Sequence, residues 1–432
     1  MSERVVELWV LAPDGAGKVL PLPPLEVSVG PGQRLLPPAR RAVEARYGLD
    51  RPVLELFVPD GIEALERVPV LLVLEPGTGV PPGPVEAQSL DIGTLPPLLR
   101  GRAASWLEEL VGRVATPALR AAWSRPGWHA RTVAWLDEAL EVRGMTRTGA
   151  LEPQRAWGIS SVLRAESSGG AVWLKAAAPG FHAEPAVTRW LATRFPDALP
   201  QVLATDDAAI LLLMADMPGG TARDLGGEGS APGAVHLLAR IAGAAMDDLP
   251  GLRALGLPER PLARLASDLR AAWSRADPVV DLRLPPGRLA ALVPWVDAEA
   301  RNLGALRIPD TLVHGDFHAG NVGLDGAAPR IFDWSDAALA NPLLDATPWM
   351  QDAETAAESE ALWAPWVEAW QGSVPADALA GRRHAVLGLG AAYQLVSLDA
   401  ILRGMEPELR HSLADSAQAY AAILDAAAQG LP

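Results

Sequence analysis

Three oxygen-bearing side chains recur at short spacing in the motifs HGDFHAGN and IFDW. Asp316 stands between Gly315 and Gly320, which relax the backbone and favour a loop over a helix. Asn321 follows Asp316 by five positions, and Asp333 follows Asn321 by twelve, after a short apolar run. Carboxylate and amide oxygens are hard ligands suited to Mg²⁺. The segment therefore supplies two requirements of phosphoryl transfer to a hydroxyl, a carboxylate for the acceptor proton and oxygen ligands for Mg²⁺.

Two alternative roles for these residues stay open on the sequence alone. His314 and His318 are four positions apart, as zinc ligands on a helix are, although the glycines disfavour a helix and the Glu of H-E-x-x-H is missing. Asp316 and Asp333 could instead be turn formers, as the Asp-Gly pair at 325–326 is. The flanking sequence favours oxygen ligands over zinc.

The two motifs together resemble the signature of the aminoglycoside phosphotransferase and choline kinase group, H-G-D-x-H-x-x-N followed by I-x-D-W. They also resemble the H-R-D-L-x-x-x-N and D-F-G pair of protein kinases, with the same Asp-to-Asn spacing. The resemblance implies that Asp316 is the catalytic base, that His314 orients the loop, and that Asn321 and Asp333 hold Mg²⁺. It also implies an α+β, two-lobed protein kinase-like fold, with a small antiparallel β lobe and a large helical lobe.

The upstream segment resembles the ATP-binding lobe of these kinases. Residues 157–164, WGISSVLR, have the pattern of strand, tight turn and strand, and the resemblance assigns Ser160 and Ser161 to nucleotide binding. The run AVWLK ends at Lys175, which matches the strand lysine that contacts the α- and β-phosphates. Glu184 stands where the family places the glutamate that pairs with this lysine. The alternative is that Glu184 only favours a helix N-terminus through the helix dipole.

The run AILLLMADMPGG, from Ala209 to Gly220, resembles the strand and hinge that connect the two lobes. The resemblance implies that the carbonyl of Ala215 and the N–H of Met217 bind adenine, and that Met214 lines the pocket. The implied cofactors are ATP and Mg²⁺. The sequence does not distinguish ATP from GTP.

Residues 1 to about 90 have the composition of a β-rich unit with one helix. The predicted helix lies in residues 37–49, with Pro37 at its start and Gly48 as the glycine that ends it. The predicted strands are Val5–Leu11, Lys18–Val29, Val53–Val58 and Val68–Leu74.

The helix in this region weakly resembles the signature helix of Nudix domains. The residues that match are Arg41, Val43, Gly48 and Leu49. Ala42, Ala45 and Arg46 replace the three metal-binding glutamates of that family, so the resemblance implies a degenerate domain without hydrolase activity. An unrelated small α+β accessory domain is the alternative.

Shifts in composition, together with the resemblance to these kinases, predict four parts of the chain. They are an accessory domain over 1–83, a helical connector over 84–150, a kinase-like N-lobe with the hinge over 151–220, and a helical C-lobe over 221–432. The Pro- and Gly-rich stretch 75–84 is the predicted linker. The connector contains two predicted helices, Pro96–Val114 and Pro126–Arg143.

Acidic and aromatic residues that follow the catalytic motifs are candidates for contact with the acceptor, since carboxylates with aromatics suit an amine or a sugar. Tryptophans three or four positions apart are also typical of a core, and relatives use an aspartate at the position of Asp345 structurally. The candidates are Asp336, Asp345, Asp352, Glu354, Trp349, Trp363, Trp366 and Trp370.

The bulk composition disfavours several classes of partner. A formal net charge of −15 over 432 residues disfavours binding to nucleic acid or to an anionic membrane. The absence of cysteine excludes disulfides and is compatible with a cytoplasmic protein. No run approaches the roughly 18 apolar residues of a membrane span, and the N-terminus does not have the pattern of a signal peptide.

The predicted function is ATP- and Mg²⁺-dependent phosphorylation of a hydroxyl on an aminoglycoside-, amino-alcohol- or sugar-like small molecule. Two alternatives remain. One is a catalytically silent, nucleotide-binding regulatory protein, which the presence of Lys175, Asp316, Asn321 and Asp333 disfavours. The other is a Nudix-type hydrolase, which lacks the required carboxylates.

Overall fold

The computed structural model describes residues 4–14, 19–20, 22–30, 33–62, 65–77, 91–110, 112–217, 219–231, 233–273, 279–326, 328–351 and 353–430. The chain forms two compact units. Unit 1 comprises Met1–Ala178 and Met405–Leu409, and unit 2 comprises Pro179–Gly404 and Arg410–Pro432. The finer boundaries expected at 83, 150 and 220 remain predictions, and most of the predicted linker lies outside the described residues.

Unit 1 begins with a mixed sheet built around strand β1, Arg4–Pro13. β1 pairs antiparallel with β2, Val19–Leu20, and β3, Leu25–Val29. It pairs in parallel with β5, Arg67–Leu74, and β5 pairs antiparallel with β4, Val53–Phe57. Three predicted strands are thereby confirmed. The described part of Lys18–Val29 forms two short strands instead of one, because Pro23 and Pro24 have no N–H for a sheet ladder.

Helices cover both faces of this sheet. On one face, α1, Leu36–Tyr47, buries Leu36, Ala39, Val43 and Tyr47 against the sheet, and it ends at Gly48 with a left-handed φ of 64°. On the other face, α2, Pro97–Leu110, buries Leu99, Ala103 and Trp106. The second connector helix is α3, Trp128–Glu141, within the predicted range, and its buried residues fall four apart on one face.

A buried ion cluster joins β4, α2 and the segment 405–409 inside unit 1. Arg102 donates two hydrogen bonds to the Glu55 carboxylate, at 2.9 and 2.5 Å, and one to Glu406 at 2.9 Å. The side chains of these three residues are 2%, 7% and 5% exposed. Arg120 adds a second cation, 3.5 Å from Glu406. Burial lowers the pKa of Arg102, but the two carboxylates more than offset this and the net pKa is raised.

An antiparallel meander completes unit 1. It consists of β6, Glu152–Ala156, β7, Ser160–Ser167, and β8, Gly170–Ala177. In its register Val162 lies opposite Lys175 and Ser161 opposite Ala176. Directly opposed residues share a face, and neighbours along a strand alternate between faces. Ser160 and Val162 therefore share a face with Lys175, whereas Ser161 is on the other face.

Unit 2 is mostly helical and includes three small β elements. β9, Val202–Asp206, and β10, Leu211–Ala215, form a hairpin. β12, Thr311–Val313, pairs with β15, Ala338–Ala340, which also pairs with β11, Glu259–Arg260. β13, Val322–Asp325, and β14, Ala328–Ile331, form a second hairpin. The helices are α4, Glu184–Arg194; α5, Ala234–Ala245; α6, Leu249–Ala254; α7, Leu262–Trp273; α8, Arg288–Gly304; α9, Ala346–Met350; α10, Ala356–Trp370; α11, Ala376–Ala380; α12, Arg383–Arg403; and α13, Ala414–Ala428.

One helix in the described part of the chain, α12, is long and apolar enough to cross a membrane by length and composition. Of its most apolar stretch, 72% is buried inside the protein. α12 packs against α7, α8 and α13. A core helix has the same properties.

Candidate active site

The loop that contains Asp316 lies between β12 and β13 in unit 2, and its backbone is fixed from two sides. The buried Asp345 carboxylate accepts hydrogen bonds from the N–H groups of His314 and Gly315, both at 2.8 Å. Gln394 of α12 donates to the carbonyl of Gly315 at 2.6 Å. Gly315 has a φ of 85°, and a Cβ there would meet the backbone oxygen of Asp336. Only glycine satisfies both conditions, so this conformation of the loop requires glycine at position 315.

His314 connects this loop to the strand that precedes Asp333. Its side chain is fully buried, and its Nε2 donates to the carbonyl of Phe332 at 2.9 Å. Its Nδ1 accepts from the N–H of Asp316 at 3.3 Å. Burial lowers the pKa of His314, which favours the neutral ring that this pattern requires. Both ring nitrogens are used within the protein, so His314 acts as a positioning residue and is unsuited to zinc.

The Asp316 carboxylate is held by one of its two oxygens. His318 Nε2 lies 3.4 Å from Asp316 Oδ2, and Asn321 Nδ2 lies 3.5 Å from the same oxygen. Asn321 Nδ2 also donates to the backbone carbonyl of Asp316 at 2.9 Å. His318 Nδ1 accepts from the N–H of Gly320 at 2.9 Å, which leaves the proton on Nε2, facing Asp316. No described residue makes a hydrogen bond to Asp316 Oδ1.

Asn321 and Asp333 lie at the same end of the β13–β14 hairpin. The N–H of Phe332 donates to the carbonyl of Asn321 at 3.0 Å, and Asp333 is the next residue. Asp333 has a left-handed φ of 65°, which Asp tolerates better than most residues but which is uncommon. Ser335 Oγ donates to Asp333 Oδ1 at 2.9 Å. The unusual backbone turns the chain sharply after β14 and places this carboxylate at the hairpin end.

The buried Asp345 predicts a pH dependence of stability. Burial raises the pKa of Asp345 from its ordinary value of 3.8 to about 7, and the charge of Asp316 adds to this, against the two backbone hydrogen bonds. Between about pH 4 and pH 7 the folded state binds a proton that the unfolded state releases, so the free energy of unfolding falls as pH rises. Each pKa unit corresponds to about 1.4 kcal/mol. Above about pH 7 this contribution levels off.

The Asp345→Asn variant should lack this part of the pH dependence, because an amide does not titrate. Urea denaturation of the wild type and the variant at intervals between about pH 5 and pH 8 measures the difference. Equal slopes for the two proteins across this range would contradict the assignment.

The residues predicted to bind nucleotide lie in both units. Lys175 lies within the buried stretch of β8 in unit 1, and Ser160 shares its face. Ser160 Oγ accepts a hydrogen bond from Trp157 Nε1 at 2.8 Å, which braces the turn before β7. The side chain of Ser161 is on the opposite face from Lys175, so only its backbone shares that environment. Glu184 is the first residue of α4 in unit 2 and is 2% exposed. Its pairing with Lys175 remains a prediction.

The predicted hinge residues follow strand β10 in unit 2. Met214 and Ala215 end the strand, and the N–H of Met217 donates to Asp216 Oδ1 at 3.0 Å. The Met217 side chain occupies the space where a Cβ of Gly323 would lie. A few residues later the chain pairs with β13, since the N–H of Leu324 donates to the carbonyl of Gly220 at 3.1 Å. The hinge is thereby attached to the hairpin that ends at Asn321 and Asp333.

Most of the acceptor candidates belong to the core. Phe317 of the Asp316 loop stacks on Trp349 with ring centroids 4.7 Å apart, and Trp366 contacts its edge. Trp363 and Trp370 are also buried. Asp345 is buried under the loop, where it holds the backbone. Of the remaining candidates, Asp336 is half-buried beside the loop and Glu354 is exposed. Asp352 lies outside the described residues.

Several residues that contact the Asp316 loop could not be predicted from the sequence motifs. Arg223 Nη2 lies 3.2 Å from His318 Nδ1, and Glu228 Oε1 accepts from the N–H of Ala319 at 3.2 Å. Gln394 is separated from Gly315 by 79 positions. His318 is visible in the motif, but the motif alone gives it no role beyond possible zinc binding. Among the described residues no group of three or more His, Cys, Asp or Glu side chains could hold a metal.

Comparison with family models gives a match to the phosphotransferase enzyme family over residues 154–386, which is 233 of the 432 residues. The chain belongs to this family. The predicted protein kinase-like fold of this part of the phosphotransferase and the predicted enzyme class, a small-molecule kinase, are confirmed. The α+β class is confirmed by the strands and helices of the two units. No curated protein matches the chain.

Solved structures similar to this phosphotransferase include three kinases. A choline/ethanolamine kinase family protein from Mesorhizobium loti has 18% identity and a TM-score of 0.49, covering 70% of this chain and 99% of its own. The choline kinase LicA from Streptococcus pneumoniae has 11% identity and a TM-score of 0.44, covering 67% and 99%. A thermostable mutant of the aminoglycoside phosphotransferase APH(4)-Ia, solved with ADP and hygromycin B, has 19% identity and a TM-score of 0.43, covering 68% of this chain and 97% of its own.

Proposed function

We propose that this phosphotransferase transfers the γ-phosphate of ATP, with Mg²⁺, to a hydroxyl group of a small molecule. One observation carries the proposal. The Asp316 carboxylate has one oxygen held by His318 and Asn321, while Asn321 and Asp333 present further oxygen ligands at the end of the adjacent hairpin. This set contains the carboxylate and the metal ligands that phosphoryl transfer requires.

Asp316 would act as the general base. Its Oδ2 is engaged within the protein, so Oδ1 is the oxygen that accepts the proton of the acceptor hydroxyl. His318 Nε2 lies 3.4 Å from Oδ2 and restricts the orientation of the carboxylate. The hydrogen bonds of Asp345 and Gln394 already hold the loop backbone in place. The Asp316 carboxylate therefore loses little conformational entropy when the acceptor binds. Proton transfer would then proceed without rearrangement of the loop.

The residues present fit a magnesium ion. Asn321 uses its amide nitrogen toward Asp316, which leaves the amide oxygen as a ligand, and Asp333 supplies a carboxylate. Both are hard oxygen donors, in keeping with the preference of Mg²⁺. When bound, the ion would neutralise charge on the phosphates. The unusual backbone at Asp333 supports a functional role for this carboxylate, because strained residues concentrate at such sites.

The donor side would consist of Lys175 and the hinge. Lysine occurs at only two positions in the sequence, 18 and 175, although Lys and Arg together number 37. A chain that uses arginine almost throughout has an ammonium group in β8, as expected for a point-charge contact with phosphate. Glu184 is proposed to pair with Lys175, and the backbone of Ser160 and Ser161 to contact the phosphates. The backbone of Ala215 and Met217 would bind adenine beside Met214.

Replacing Lys175 with Met should raise the KM for ATP roughly 10- to 100-fold, because a charge-assisted contact to phosphate is lost. Steady-state kinetics with ATP as the varied substrate measure the effect. Lys175→Arg is the matched variant. It keeps the charge but changes its geometry, and it should lose less. An unchanged KM in Lys175→Met would exclude the phosphate contact.

A screen for ATP consumption tests the proposed function as a whole. The panel contains aminoglycosides, amino alcohols, sugars and nucleosides, because the half-buried Asp336 beside the loop favours a polar acceptor. The Asp316→Asn variant serves as the blank. Saturable consumption with one class, abolished by EDTA and restored by Mg²⁺, supports the proposal. Binding of ATP without transfer to any member would instead support a nucleotide-sensing protein.

A further inference from the structure

A partly enclosed cavity of about 140 Å³ lies within unit 1, on the face of β7 opposite Lys175. Its walls come from three parts of the unit. They are the end of α1 and the start of β4, the region around the N-terminus of α3, and strands β6 and β7. The polar and aromatic groups of the wall include Arg40, Arg51, Trp123, Trp128, His129 and Ser161.

Among the described residues that line the cavity, Ser161 supplies the one hydroxyl, and it is 2% exposed. Its Oγ makes no hydrogen bond to any residue in the described part of the chain. The register of β7 turns this side chain away from the Lys175 face and toward the cavity. The hydroxyl is therefore available to a molecule bound in the cavity.

The rest of the interior is apolar and aromatic. Trp123 and Trp128 are 4% and 8% exposed, and their indole N–H groups make no hydrogen bond to a described residue. Leu54, Leu151 and Leu163 complete the wall. An apolar cavity of about 150 Å³ in a protein core is large enough to bind benzene. The volume therefore suits a single six-membered ring. The polar protein groups around it are mainly hydrogen-bond donors.

The charges near the cavity are already compensated. Arg40 donates to Asp50 at 2.8 Å and to Glu152 at 3.1 Å, and both carboxylates are largely exposed at the rim. Arg51 donates to the carbonyl of Pro13 at 2.7 Å, and Asp14 lies near it. His129 Nε2 lies 3.1 Å from the carbonyl of Leu151. A buried charge on a ligand would lack a counter-ion here, and its desolvation would be costly.

We propose that this cavity binds an uncharged single-ring heteroaromatic molecule that accepts a hydrogen bond from Ser161. The tryptophans supply flat apolar walls, and the hydroxyl supplies the polar contact that selects an acceptor atom over a plain hydrocarbon. The site shares no side chain of the Lys175 face. The backbone of Ser161, unlike its side chain, also belongs to the proposed donor side.

Four ring probes of similar size test the proposal on the full chain. Pyridine carries an uncharged acceptor, benzene lacks it, N-methylpyridinium is cationic and benzoate is anionic. Ligand-observed NMR titration should show saturable binding of pyridine, weaker binding of benzene, and at least tenfold weaker binding of the two ions. In Ser161→Ala the affinity for pyridine should fall roughly three- to tenfold, and the affinity for benzene should stay unchanged.

Two further variants localise the binding. Ser161→Leu fills the cavity and should abolish saturable binding of pyridine. Ser160→Ala changes the neighbouring residue on the other face and should leave pyridine binding unchanged. The proposal is overturned if no probe binds saturably, if pyridine binds as tightly to Ser161→Leu as to the wild type, or if the ions bind as well as pyridine.

Discussion

Replacing Asp316 with Asn should lower kcat for phosphoryl transfer by roughly 10²- to 10⁴-fold, the usual contribution of a positioned general base. The amide keeps the shape of the side chain but cannot accept the proton of the acceptor hydroxyl. The contacts of Asp316 with His318 and Asn321 involve Oδ2, and Asn321 also bonds the backbone carbonyl, so the loop should keep its path. The affinity for ATP should change by less than about threefold, since the donor contacts are elsewhere.

The measurement is single-turnover transfer with the best acceptor from the screen, together with calorimetric titration of ATP. Asp325→Asn is the matched control. Asp325 lies in the turn of the β13–β14 hairpin and forms an exposed ion pair with Arg330 at 3.0 Å. Exposed pairs contribute little, so this variant should retain its activity within about twofold. If Asp316→Asn also kept its activity within that range, Asp316 would not be the base.

Replacing Arg102 with Ala should lower the free energy of unfolding by about 3–5 kcal/mol. Arg102 is the cation between Glu55 and Glu406, and all three side chains are almost fully buried. Without it, two carboxylates remain in the interior, and Arg120, at 3.5 Å, approaches only one of them. The energetic cost comes mainly from these uncompensated charges rather than from the lost attraction.

Urea denaturation followed by circular dichroism measures this loss in the transition that includes unit 1. Arg67→Ala is the matched control, because Arg67 pairs with Glu26 in the same sheet with both side chains more than half exposed. Its loss should be below about 1 kcal/mol. Similar losses of free energy of unfolding in the two variants would show that the buried cluster stabilises the unit no more than an exposed ion pair does. A near-neutral effect of Arg102→Ala would show that water replaces the cation.

The proposed base and metal ligands could be predicted from the sequence because these residues lie close together along the chain. The Asp316-to-Asn321 spacing and the strand before Asp333 belong to one continuous segment, so the motif specifies both the residues and the hairpin that presents them. Lys175 was likewise marked by the apolar strand that precedes it. In the N-terminal region, strand composition and the Pro-to-Gly limits of α1 predicted most elements to within two residues.

For other residues that the sequence analysis singled out, the proposed role depends on which face of a strand or helix the side chain occupies. Ser160 and Ser161 are adjacent and chemically identical, yet the β7–β8 register puts only Ser160 on the Lys175 face. The tryptophans near the motif could have met an acceptor, but Trp349 and Trp366 pack against Phe317 beneath the loop. Residue type alone does not distinguish a site residue from a core residue, because the tertiary packing decides which groups each side chain contacts.

By itself the sequence determined the family, the candidate base and the oxygen ligands, since local spacing fixes how one loop and one hairpin present their side chains. Only the tertiary structure decided what holds them. Asp345 and Gln394 reach the Asp316 loop from 30 and 79 positions away, and Glu406 reaches Arg102 from 304. Contacts of this range arise from how helices and strands pack together. No local pattern of residues encodes them.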